Sequence, residues 1–239
     1  MGEILYIGSC RYMKNFPWRF FPARLHTTKE MIFFLENIQN IKEIMKQYPN
    51  DILNRIFGDI THPDVIEDMK YFLNNPIQKN TIKIVLEVCS RKIFFYRKNI
   101  PVKWRKESNL KKHGITITDL IKKYNLVYHE MTDEEIEQDL VYIKKIIKQI
   151  FNENIELHII PNINMKIKQT NGYLLKRKSL VESLEKICNK HDIGYHNVGK
   201  FMESQTTYSY LDDVMYNGGS QYCDNSKQIV RTFLTESIC

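Results

Sequence analysis

The sequence predicts an α/β protein: a mostly parallel sheet flanked by helices in three layers, with a basic insertion. Three observations predict it. Short apolar runs rich in β-formers recur at residues 4–7, 81–89 and 156–160. Gly8, Ser90 and Pro161 close them, the pattern of strands buried on both faces. Stretches of helical periodicity with capping signals lie between the runs, and strands alternating with helices imply parallel pairing.

The first run is Ile4-Leu5-Tyr6-Ile7. Gly8 permits a tight turn that presents Ser9 and Cys10 at the strand's carboxyl end, the edge where open α/β sheets bind ligands. The same stretch also fits a core strand followed by a small buried thiol. Residues 15–26 form an aromatic segment broken by Pro17 and Pro22, expected as a loop whose rings need something to pack on. Thr27 or Thr28 caps a helix to Asn37 with Met31, Phe34 and Leu35 on one face. Further helices are expected at 41–47 and 63–73, the second opened by Pro63.

After the strand at 81–89, residues 91–96 read as another strand. A basic, aperiodic segment at 97–113 is the expected flap or insertion. A short helix at 117–124 precedes the strand-like run 126–129. Thr132-Asp133-Glu134-Glu135 is a capping box for a long helix to about Phe151, buried along Ile136, Leu140, Ile143, Ile147 and Ile150. The strand at 156–160 ends in Pro161-Asn162. A helix at 178–189, a short strand at 193–196, a polar loop to Asp224 and a closing helix at 226–235 complete the chain. Without repeats or a low-complexity linker, residues 1–239 are expected to form one domain.

The 239 residues can bury one substantial core. No apolar run approaches the roughly 20 residues of a membrane span, so no membrane partner is expected. The start of the chain is strand-like rather than leader-like. Cys10, Cys89, Cys188, Cys223 and Cys239 never form a Cys-x-x-Cys pair. That argues against a disulfide framework or a zinc site, and for a reducing, cytoplasmic compartment with no metal. The net charge of +7 comes with heavy use of Lys, Ile and Asn throughout. No nucleic-acid-binding motif accompanies it, and no nucleic-acid partner is expected.

Among the histidines, His129 is the acid–base candidate, because it ends an apolar run just before a capped helix N-terminus. The position also suits a rim histidine with no chemical task. His158, inside a strand, reads as a core or sheet-face residue. His26, beside Arg24, fits either substrate binding or packing; His113, His191 and His196 read as surface or loop positions. Asp212 and Asp213 lie in a Gly-ended stretch where aspartates usually form turns. The basic segment reads first as a solvated loop, although its Lys103, Trp104 and Arg105 would also suit the phosphates and base of a nucleotide or of coenzyme A.

Together these blocks resemble the SGNH (GDSL-like) hydrolases, whose three-layer, flavodoxin-like sheet the resemblance implies. Gly8-Ser9-Cys10 matches the first block, with Cys at the nucleophile place, and Pro161-Asn162-Ile163-Asn164 loosely matches the Asn block. The last block departs from the family: Met215 and Tyr216 stand where Asp212 or Asp213 would need a histidine three residues on. The chain is also similar to Gly-x-Cys polysaccharide-biosynthesis acyltransferases and to the N-acetyltransferase domain of giant-virus sugar-modifying enzymes. That resemblance implies transfer from acetyl-CoA to a nucleotide-linked amino sugar, in the host cytoplasm if the source is viral. It implies His129 as base, Cys10 as alternative acyl carrier, and Ser9, Arg11, Arg24, His26, Asn162 and Asp213 as oxyanion or substrate contacts. An esterase or deacetylase using Cys10 or Ser9, and a non-catalytic carbohydrate- or nucleotide-binding module, are the competing expectations. A further domain or a homo-oligomer is compatible with the sequence.

Overall fold

A computed structural model describes residues 3–8, 16, 18–37, 40, 43, 82–97, 99–103, 116–151, 155–205, 207–216 and 221–238. The helices expected at 41–47 and 63–73 lie outside them. The described elements run β1 (Glu3–Gly8), β2 (Arg19–Arg24), α1 (Thr28–Asn37), β3 (Ile82–Val88), β4 (Lys92–Tyr96) and β5 (Ile100–Lys103). Next come α2 (Ile117–Tyr124), β6 (Val127–Glu130), α3 (Asp133–Phe151), β7 (Ile155–Pro161), α4 (Leu175–Lys190) and β8 (Gly194–Tyr195). The chain continues through α5 (Val198–Ser204), α6 (Leu211–Val214), β9 (Met215–Tyr216), β10 (Gln221–Tyr222) and α7 (Asp224–Ile238).

The main sheet has five strands in the order β2-β1-β3-β7-β8. β1, β3, β7 and β8 are parallel, with Ile7 opposite Leu86, Leu86 opposite Ile159, and Ile159 opposite Tyr195. The order reverses between β1 and β3, since the chain goes to β2 on one side and later adds strands on the other. Ligands of open α/β sheets bind at such a reversal. The α/β class with a mostly parallel sheet is therefore as expected.

Four expectations are corrected. The strand-like runs 91–96 and 126–129 were expected to belong to the one mostly parallel sheet; instead residues 92–96 and 127–130 lie in a second, antiparallel sheet of order β5-β4-β6. Only residues 89–91 separate β3 from β4, whereas a parallel neighbour needs a crossover of a dozen or more residues. Residues 100–103, assigned to the basic flap, are the third strand of that sheet. They follow β4 through a tight reversal in which Arg97 takes φ 49°. The aromatic segment, expected as loop, contains β2. Pro22 is compatible with β2 because β2 ends the strand order, the place where sheets accept proline. The stretch before Asp224, expected as a loop, holds α5, α6, β9 and β10.

The chain divides into two compact units: Met1–Phe21, Pro76–Cys89 and Ile147–Cys239 form one, Pro22–Asn75 and Ser90–Ile146 the other. In the first, Ile4, Tyr6, Val85 and Ile160 on one sheet face join Val230, Leu234 and Ile238 of α7 in a single core. Leu5, Ile7, Ile84 and Leu86 alternate with them along the strands and are fully buried. α4 packs against β7 and β8, giving helix, sheet and helix layers.

In the second unit, α3 buries Ile136, Leu140 and Ile143. The capping box forms as expected, with Thr132 N–H on Glu135 at 2.8 Å and Glu135 N–H on Thr132 Oγ1 at 3.2 Å. The start of α1 is pinned to α3 by buried Asp139, which accepts from Thr28 Oγ1 and from Lys29 Nζ, each at 2.6 Å. No helix among the described residues is long and apolar enough to cross a membrane. Asp139→Ala would strand the buried Thr28 hydroxyl and free Lys29. A loss of about 2–3 kcal/mol is expected in urea unfolding; an unchanged midpoint would show that the pin contributes nothing.

Candidate functional site

At the carboxyl edge of the parallel sheet, Gly8 follows the Ile7–Leu86 pair and so stands level with Glu87. A side chain at Gly8 would meet the Tyr6 hydroxyl at 2.5 Å and Glu87 Cβ at 2.6 Å. Glycine is required here by close packing, in addition to any turn that follows. The neighbour that imposes it is a buried pair: Glu87 is fully buried and its carboxyl accepts the Tyr6 hydroxyl. Tyr6 is in turn what the aromatic segment packs on, with Trp18 5.9 Å and Phe20 5.5 Å away between ring centroids.

β3 and β7 are tied together just beyond their ends. Asn162 N–H donates to Val88 O at 3.1 Å, and its side-chain amide to Cys89 O at 3.2 Å. Gly8, Cys89 and Asn162 thus share the edge at and beside the reversal of strand order. Ser9, Cys10 and Arg11 lie outside the described residues, as do Trp104 and Arg105. Arg24 ends β2 and Lys103 ends β5, with side chains outside the description.

His129 does not belong to this sheet. It sits in β6 opposite Ile93, in the second unit. Its Nε2 lies 2.8 and 3.0 Å from the two oxygens of Glu135, so Nε2 carries a hydrogen, and in the neutral tautomer Nδ1 is the acceptor nitrogen. Burial raises the Glu135 carboxyl, but the Thr132 N–H and the His129 ring outweigh it and hold that carboxyl below its ordinary value. The side chain of His129 is 38% exposed, open enough to meet a substrate. His26 joins the same unit through its backbone: its N–H donates to Glu30 at 2.9 Å and its carbonyl accepts Ser90 N–H at 3.1 Å. Asp213 accepts Tyr210 N–H at 2.9 Å, a helix-entry cap for α6.

Compared with known proteins, the chain matches no family model, no curated protein and no solved structure.

One polar cluster went unread in the sequence. His196, expected at the surface, is buried, and its Nε2 lies 3.0 Å from Nδ1 of buried His158. Gly194 makes the room, since a Cβ there would collide with the His158 ring at Nδ1. His158 Nε2 faces Glu156 at 3.3 Å, Glu156 faces Lys83 at 3.2 Å, and Lys83 caps the Ile238 carbonyl at the end of α7. Burial lowers the His158 imidazole, with Glu156 opposing. Burial, then His158 and Lys83, push His196 down to about 4. With neutral rings and Glu156 accepting from His158 Nε2–H, His196 Nε2–H must donate to His158 Nδ1. The available signal was the pairing of β7 with β8, which aligns His158 with Gly194 and brings His196 alongside; no periodicity reports it. Among the described residues, no group of three or more His, Cys, Asp and Glu is arranged for a metal.

Two outcomes follow from this geometry. Gly8→Ala should shift or break the Tyr6–Glu87 pair at a cost of about 1–3 kcal/mol; a variant as stable as wild type in urea would contradict the packing account. The histidine pair should make stability acid-sensitive. Both imidazoles have folded values below the unfolded value of 6.5, so they do not oppose folding above about pH 6.5. As pH falls from there towards about 4, the unfolded chain takes up protons first and stability declines. The His196 contribution is roughly 3 kcal/mol, and His196→Phe should flatten urea midpoints measured between pH 7 and about 4.

Proposed function

We propose that the chain is an acyltransferase of SGNH-like layout that moves an acetyl group from acetyl-CoA to the amine of a nucleotide-linked amino sugar. The observation that supports it is the position of Gly8: it ends β1 where the strand order reverses, and the Ser9-Cys10 pair follows it directly. The tie between Asn162 and the end of β3 supports a preformed edge beside that reversal.

The chemistry fits the absent histidine of the C-terminal block. A thioester is already activated, so an amine attacks its carbonyl carbon without an enzyme nucleophile. The tetrahedral oxyanion needs donors, and the ammonium must lose a proton as the thiolate leaves. In this reading the backbone N–H groups at Ser9 and Cys10 are the donors. His129, in the second unit, is kept as the candidate base on its own geometry: Glu135 holds its ring in the tautomer that leaves Nδ1 to accept a proton. Lys103, Trp104 and Arg105 are assigned to CoA or nucleotide phosphates, and Arg11, Arg24 and His26 to the sugar nucleotide. Hydrolysis by a Ser–His–Asp relay gains no support, because Asp213 caps α6 and no histidine follows it at the family's spacing.

The test is release of free CoA from acetyl-CoA in the presence of UDP- and dTDP-linked amino sugars. His129→Ala is expected to lower kcat by roughly 10²–10⁴-fold while the fold is kept, and Cys10→Ala to retain turnover. Acetylated Cys10 trapped in the absence of acceptor, with Cys10→Ala inactive, would replace direct transfer by a covalent route. A fully active His129→Ala protein would remove His129 as base.

A further inference from the structure

Residues 166–181 hold Lys166, Lys168, Lys176, Arg177 and Lys178 and no acidic residue. The segment is locally well formed. Ile167 and Gly172 bridge antiparallel, with Ile167 N–H on Gly172 O at 2.9 Å, around a turn in which Asn171 takes φ 49°. The chain then passes Tyr173 and enters α4, whose preceding residue, Leu174, offers no side-chain cap. Leu174 is 38% exposed and Leu175 is 79% exposed, the highest value among the exposed large hydrophobic residues described.

Two local rules are broken together. Lys176, Arg177 and Lys178 crowd the positive end of a helix dipole, which acidic residues would suit. Two adjacent leucines face water at the same place. The chain itself compensates little of this. Glu182 stands 3.8 Å from Lys178, which lies over the Tyr173 ring at 5.8 Å. The Tyr173 hydroxyl donates to Glu203 at 2.9 Å, and Arg177 Nη1 donates to the Ile163 carbonyl at 3.3 Å. Local inconsistencies without a folding benefit concentrate where a surface has a task.

We infer that this tip docks on an anionic lipid bilayer, with Leu174 and Leu175 entering the headgroup–acyl boundary and the flanking lysines meeting lipid phosphates and carboxylates. Peripheral docking needs no spanning run, only exposed apolar side chains beside cations of one sign. A nucleic acid would use the cations but leave both leucines in water, and Tyr173 is already engaged with Glu203. An apolar pocket on a protein would take the leucines but would not call for five cations in a segment whose own residues include no acid, Glu182 standing just beyond it at 3.8 Å from Lys178.

The test is co-sedimentation of the full chain with phosphatidylcholine vesicles, with and without phosphatidylserine, at low and high salt. Binding is expected on the anionic vesicles and should weaken with salt. Leu174→Ser with Leu175→Ser should lower partitioning about tenfold or more. Lys168→Glu with Lys176→Glu should lower it by about fivefold or more per reversed charge. All four positions are exposed, so melting temperatures should not move, and a variant that melts early is replaced by Leu175→Ser or Lys176→Gln alone. Absence of vesicle binding, or binding that neither variant weakens, overturns the inference. So does oligonucleotide binding that depends on the lysines alone while vesicles are ignored. The outcome is independent of whether acetyl-CoA is turned over.

Discussion

Glu87 places a carboxyl group inside a parallel sheet, and the arrangement of the sheet's carboxyl edge follows from accommodating it. A carboxyl removed from water must keep hydrogen bonds, or its burial costs several kcal/mol. The Tyr6 hydroxyl supplies one from the next strand. To reach it, the Tyr6 ring lies along β1 over the following same-face position, and only glycine leaves space there. The ring's other surface meets Trp18 and Phe20, which gives the aromatic segment its place against the sheet. One buried acid thus links β3 to β1, and β1 to the segment that leads into β2. It also explains why the Gly-Ser-Cys block begins with glycine.

The architecture was legible where local pattern and connection length agree. Apolar runs at 4–7, 81–89 and 156–160 become β1, β3 and β7, and the Thr132–Glu135 box opens α3 where expected. What period alone could not decide was which sheet each strand joins. Residues 92–96 look as apolar as those of β3, yet three intervening residues cannot make a parallel crossover, and β1 and β7 already occupy both sides of β3, so β4 joins another sheet. Loop length therefore carried information that apolarity did not. β2 escaped notice because Pro22 signals interruption, whereas at the end of a strand order proline is compatible with pairing.

The candidate site was legible to a different degree at each residue. Asn162 and Gly8 were read from punctuation at strand ends, and register brings them to one edge. His129 was read from the same kind of punctuation, but the strand it ends belongs to the antiparallel sheet. The buried pair His158–His196 left no trace in sequence, since its partners are 38 residues apart and meet through the register of a two-residue strand. Glu87 was visible as a lone acid in an apolar strand, although nothing local named Tyr6 as its partner.

The histidines then divide by environment. A general base has to reach the acceptor's proton and hold it near neutral pH. His196 does neither: it is buried, and its value of about 4 leaves it a weak acceptor. Both of its neighbours in the chain of hydrogen bonds, His158 and then Glu156, serve to hold β7, β8 and the end of α7 together through Lys83. His129 differs in geometry: its ring is accessible, and one nitrogen is fixed by a carboxylate that is itself anchored by the helix cap. Because Glu135 serves both the cap and the ring, opening the first turn of α3 would release the tautomer. Folding of that turn is in this way coupled to the acid–base role proposed for His129.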